Sequence, residues 1–203
     1  MKLGILMGAT MLVVSAALAP AHAAGEHTIG IELGASVPHG YFSDDARTGT
    51  LIGINYTRML TPVLGMGVEL KRHGWKASEA MDAEAEASYG TGSRYLHTAW
   101  QYSAHATVSV PVPGPVQVYF MGGTGFYNPG SKLETPTGPT SDTGSDLGFH
   151  GGGGLRIKGP NTSTVDVFMT FHRFESEPLA TAWTAAGLRV SWLLPNLDAG
   201  LGF

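Results

Sequence analysis

The sequence predicts an all-β protein, an eight-stranded antiparallel up-and-down transmembrane β-barrel. Three observations predict it. A secretory leader is followed by no second apolar run of helix length, the rest of the chain holds eight segments of period-two alternation, and the connections between them are alternately short and long.

The leader comes first in the chain. Lys2 supplies a positive start, residues 3–18 are nearly all apolar or small, and Ala21-His22-Ala23 has the spacing a signal peptidase reads. Residues 1–23 are therefore expected to be a cleaved signal peptide, 24–194 an outer-membrane barrel and 195–203 a C-terminal tail. The apolar run is too short for a permanent membrane helix, which needs about 20 residues. No cysteine follows Ala21, so the leader is not of the lipoprotein kind.

Composition excludes several classes. Charged residues make up 14% of the chain, against about 25% in an average soluble domain. The net charge of −4 gives no basic field for nucleic acid. With no cysteine there is no disulfide framework, thiolate metal centre or cysteine nucleophile. No cofactor is implied.

The alternating segments cover residues 28–37, 50–59, 63–74, 94–110, 116–127, 147–158, 164–174 and 184–194. In the first, Ile29, Ile31, Leu33 and Ala35 oppose Gly30, Glu32, Gly34 and Ser36. In the fourth, Trp100, Tyr102, Ala104, Ala106 and Val108 oppose Gln101, Ser103, His105, Thr107 and Ser109. Ten residues or so is the length a tilted strand needs to cross the hydrocarbon. Residues 60–62, 111–115 and 159–163 form short turns. Residues 38–49, 75–93, 128–146 and 175–183 form long polar loops. Such alternation arises when every turn lies on the periplasmic side and every loop outside. The loop at 75–93 has an alanine-rich acidic run, Glu79, Asp82, Glu84 and Glu86, with the composition of a short helix. The loop at 128–146 is rich in Pro, Gly, Ser and Thr, as in mobile segments. The Asn161-Thr162-Ser163 sequon falls in a turn and reads as turn chemistry.

The polar face is mostly Gly, Ser, Thr and His, with few charges of both signs. That suits the packed interior of a small barrel rather than a water-facing surface. Glu32, Glu69 and Asp166 are expected to compensate Lys71, Arg156, Lys158 and Arg189 in a lumen salt-bridge network, with no pairing assignable from sequence. The opposite face carries Tyr56, Trp100, Tyr102, Phe126, Phe171 and Trp192, as aromatic girdles do at the two interfaces. A soluble periplasmic barrel that binds a ligand inside stays as the alternative.

Residues 149–158, then 165–169, then 186–192 resemble the closing strands of small outer-membrane barrels of the opacity/OmpX/OmpA type. A glycine-rich strand, an acidic-aromatic strand and a strand ending on an aromatic are shared. The resemblance covers roughly the last 60 residues well and the rest by pattern. A structural or surface-interaction protein that displays four extracellular loops is the expectation, without an open pore because an eight-stranded barrel is filled by its own side chains, and with outer-membrane lipids and lipopolysaccharide as partners. Gly187, Val190 and Trp192 match the terminal-strand spacing that barrel-assembly machinery recognises. The chain departs from the family by continuing beyond Trp192 to Phe203.

Eight histidines raise a metal reading. His97 and His105 are eight positions apart, about 26 Å along a strand, and cannot share an ion. His150 and His172 can approach each other across neighbouring segments. Hydrogen-bonded lumen histidines, with no metal, are the expectation. His172-Arg173-Phe174-Glu175-Ser176-Glu177 superficially resembles the lipid A deacylases, which carry serine two residues after the histidine. Phe174 holds that position here, and parity turns His172 inward. A lipid hydrolase remains the alternative function, and no enzyme is the expectation.

Overall fold

The computed structural model describes residues 25–110, 112, 114–159, 162–176 and 179–195. The expected leader, Asn161 of the sequon and nearly all of the expected tail lie outside the described residues. Eight long strands form the wall: β1 (His27–His39), β2 (Gly49–Met59), β3 (Leu64–Lys76), β4 (Arg94–Val110), β5 (Val116–Thr135), then β7 (Asp146–Lys158), β8 (Ser163–Ser176) and β9 (Leu179–Leu194). A ninth, β6 (Gly138–Thr143), pairs only with the end of β5. All pairings are antiparallel, and the β1–β9 ladder closes the ring from His27↔Leu194 to His39↔Ala182. Closure leaves no wall strand with an unpaired edge, which lipid requires because each unsatisfied backbone group in hydrocarbon costs several kcal/mol.

The alternation is expressed as an inside-out protein. Large apolar side chains stand outward and exposed, as with Met169 (62%), Phe126 (60%) and Leu33 (58%). Glu32, Lys71, His73, Gln101, Asp166 and His172 are buried. In water such a surface would be a penalty of roughly 25 cal/mol for each Å² of apolar area. Against acyl chains it is the favourable surface.

Strands run well beyond the apolar alternation chiefly at the loop end. β5 continues to Thr135 and returns as β6, so residues expected to form a mobile loop make a hairpin. The expected loop at 175–183 is mostly strand, since β8 reaches Ser176 and β9 begins at Leu179. Beyond the bilayer a strand needs no apolar face, so its pattern fades before its hydrogen bonding does. Two helices complete this end: α1 (Phe42–Asp45) and α2 (Glu79–Tyr89). The Ser78 hydroxyl accepts from the Met81 amide at 3.3 Å and caps α2.

Several bulky inward groups fit because a facing residue has no side chain. A Cβ on Gly123 would collide with the Ala104 carbonyl and lie 2.7 Å from the His150 ring, while one on Gly122, one residue along and facing outward, would meet nothing nearer than 3.8 Å. Gly123→Val is therefore expected to lose folded barrel, by about 1–3 kcal/mol or more, and Gly122→Val to fold normally. Heat-modifiable mobility on a gel checks both, and equal behaviour of the pair would refute this account of the bore.

Candidate functional site

The centre of the lumen is one ion cluster drawn from five strands. β1 brings Glu32, β3 brings Glu69 and Lys71, β7 Arg156, β8 Asp166 and β9 Arg189. Lys71 Nζ sits 3.1 Å from Glu32 Oε2 and 3.0 Å from Glu69 Oε2. Arg189 Nη2 lies 2.7 Å from Glu32 Oε1 and 3.4 Å from Glu69 Oε1, and its Nη1 is 3.6 Å from Asp166 Oδ2. Arg156 forks onto Asp166, donating from Nε and Nη2 at 2.9 Å each. Within the cluster three carboxylates face three cations, so the charges cancel. Asn55 donates to Glu32 at 2.8 Å. The buried Phe168 ring lies under both cations, 5.7 Å from Lys71 Nζ and 5.5 Å from the Arg189 guanidinium.

Lys158 is not part of this buried cluster. It ends β7 at the other, turn end of the bore and is exposed, lining a hollow of about 240 Å³ with Glu26, Thr28 and Ser191. Its parity is inward, but there the strand is already leaving the packed interior.

Toward the loop end the ions give way to histidines and aromatics. His150 and His172 do meet, stacked with ring centroids 5.5 Å apart. His172 Nδ1 lies 3.2 Å from the Tyr127 hydroxyl and Nε2 2.9 Å from the Thr170 hydroxyl, so both ring nitrogens are engaged. His73 is held by Ser36 at 2.8 Å and Gln101 at 3.3 Å. Among the described residues no group of three or more ligating side chains is placed to hold a metal.

Above the histidines, Trp183 closes the bore. Fully buried, it stacks on His172 at 5.1 Å and meets Trp75, Tyr127 and Phe174 edge-on at 5.3, 5.6 and 5.8 Å. Phe42 of α1 abuts Trp75 at 5.0 Å. The apolar alternation by itself puts Trp75 and Trp183 in loops. A signal for them exists in the sequence, because both continue the inward parity of the strands they extend. The acidic run of α2 is engaged in local contacts: Asp82 takes Arg47 at 3.2 Å and the Tyr95 amide at 3.2 Å, and Glu86 accepts from the Gly92 amide. At the rim, hydrogen bonds from Lys132 and Arg94 hold the Glu134 carboxyl below its usual range.

Of the proposed assembly signal, Gly187 faces inward, and Val190 and Trp192 face outward and exposed. A Cβ on Gly187 would run into the Leu33 carbonyl where it pairs with Gly34, which gives that glycine a packing role in closure.

The sequence matches the family of the outer membrane protein beta-barrel domain over residues 9–192. The chain belongs to this family. No curated protein matches it in sequence. Among solved structures this outer-membrane barrel is similar to Neisserial surface protein A, with a TM-score of 0.59 and 11% identity over 85% of this chain and 99% of that one. A major outer membrane protein of Thermus thermophilus gives 0.54 and 12% identity over 83% and 99%. Ail, the attachment invasion locus protein of Yersinia pestis, solved with the heparin analogue sucrose octasulfate, gives 0.53 and 13% over 83% and 99%. At such identities the likeness is one of fold.

The charge balance of the cluster has a direct consequence. Asp166→Leu removes the carboxylate onto which Arg156 forks and one of the three carboxylates around Arg189, and is expected to cost about 3–5 kcal/mol in urea unfolding from detergent micelles. Adding Arg156→Met to that variant should recover more than half of the loss, since it restores the charge balance of the cluster. No recovery would mean that the pair is not coupled.

Proposed function

We propose that this outer-membrane barrel is a sealed, non-catalytic anchor that presents its loop end at the cell surface. The observation that carries the reading is the filled bore, a neutral ion cluster lidded by Trp183 and its aromatic neighbours. An eight-stranded barrel has room for its own side chains and little else. In this reading the turn end faces the periplasm, α2 and the β5–β6 hairpin stand outside, and surface interaction belongs to those loops. Barrel-assembly machinery would insert the chain through Gly187, Val190 and Trp192, after removal of residues 1–23. Surrounding lipids and lipopolysaccharide would contact the apolar wall. The fold likeness to a protein called a surface protein and to another called an attachment invasion locus protein agrees with such a role.

The hydrolase alternative is disfavoured by His172, whose ring nitrogens are occupied by Tyr127 and Thr170 inside the bore. Two experiments test the proposal. Purified barrel in planar bilayers should give no steady conductance, and external protease on intact cells should cut within 78–93 or 136–146 while the wall stays protected. A stable channel, or cleavage only after the outer membrane is permeabilised, would overturn it. So would a change in lipid acylation on overexpression that His172→Ala abolishes.

A further inference from the structure

Inside the barrel every clustered charge has a counter-charge. Outside, two cations of the described residues do not. The outward residues of β3 are Leu64, Met66, Val68 and Leu70, then Arg72, Gly74 and Lys76. Other outward cations at the loop end are paired: Arg94 with Glu134 at 2.8 Å, Lys132 with Glu134 at 2.7 Å and Arg173 with Glu175 at 3.2 Å. The Arg72 guanidinium and the Lys76 ammonium make no ion pair or hydrogen bond with any described residue. Between them runs a groove of about 410 Å³, lined by Thr48, Thr50, Arg72, Gly74, Lys76 and Thr98 among others.

The groove exists because its floor is glycine. A Cβ on Gly74 would meet only the Thr50 hydroxyl, at 3.7 Å, so the space above it is open. Its depth is set by the strand. Arg72 lies eight residues after Leu64, about 26 Å along β3, or roughly 20 Å along the membrane normal at a tilt near 40°. The apolar band of such barrels is about 25 Å tall. The guanidinium therefore reaches the upper boundary of the hydrocarbon, beside its cross-strand neighbour Trp100 and across from Ile52. Lys76 lies two pleat repeats above, about 13 Å farther along the strand.

We propose that this groove binds the phosphate of a lipid in the membrane leaflet at the loop end. Arginine presents a planar fork that matches phosphate, lysine adds a point charge, and the threonine hydroxyls can donate to the remaining oxygens. Acyl chains of the same lipid would run down over Val68, Met66 and Ile54, all exposed on the wall below. A free phosphate ion would use the cations and leave that apolar path empty, so a membrane lipid is the occupant the surface fits. The inference rests on the outward face being the lipid face.

The test uses the full chain folded in non-ionic detergent, with heat-modifiable mobility reporting the fold of each sample separately. Native mass spectrometry would compare bisphosphorylated lipid A with the same lipid stripped of phosphate. The wild type should bind the phosphorylated form at least about tenfold more tightly. Arg72→Gln with Lys76→Gln should abolish that preference, and Gly74→Leu, which fills the groove without touching either cation, should weaken binding to a similar degree. Equal binding of the two lipids by the wild type overturns the proposal without recourse to any variant. Undiminished binding by the folded variants does so too, and competition by millimolar inorganic phosphate would assign the site to the free ion instead. Failure of the wild type to show a heat-modifiable barrel would instead strike at the membrane reading itself.

Discussion

The narrowness of an eight-strand bore governs this structure. Such a cylinder has no space for a solvent column, so each inward group must find its partner on another strand. An isolated charge placed there would be intolerable, and a pair is stable only with good geometry and its spare lone pairs used. The chain meets that demand with one cluster in which Lys71 and Arg189 each bridge Glu32 and Glu69, while Asp166 links Arg189 to Arg156. Because these six side chains come from β1, β3, β7, β8 and β9, their contacts cross the bore as well as following the wall. Closure of the ring and pairing of the charges are thus mutually dependent.

The same constraint orders the rest of the interior. Size is traded between facing positions, so Gly67 and Gly123 stand where the rings of His105 and His150 need room. Nearer the loop end the wall contributes rings instead of ions, and His73, His172 and Trp183 stack or meet edge-on within about 5 Å. Rings suit that end because an aromatic lid excludes water from the cluster beneath it without adding a charge of its own. Helix α1 extends the lid through Phe42, and Arg47 ties the loop that carries it to Ala77 and Asp82.

How far sequence can see this depends on which force wrote the pattern. Where lipid touches one face, every second residue must be apolar, and residues 94–110 are legible to their last position, matching β4. Where strands leave the bilayer, that pressure stops, so the extension of β5, the β6 hairpin and the start of β9 at Leu179 are invisible to an apolar period. The candidate lumen charges can be named by parity, but not paired, because register and barrel curvature decide which strands meet across the bore. Lys158 shows the limit of parity alone: a side chain can point inward and still be in water when its strand is ending. Phe168 shows the reverse, an apolar residue at an inward position, where it lies beneath Lys71 and Arg189 rather than against lipid.

A filled interior also restricts where selection can place function. Altering one lumen charge disturbs a neutral set, so new recognition there carries a cost to folding. On the outer wall and the rim, substitution is limited only by the solvent outside, whether acyl chain, headgroup or water. Charges left unmatched on that surface consequently mean something different from charges left unmatched within. Most rim cations are neutralised by a neighbour such as Glu134 or Glu175. Arg72 and Lys76 are set over an open glycine floor at the depth where hydrocarbon ends, and the partner they lack is of the kind that the membrane boundary supplies.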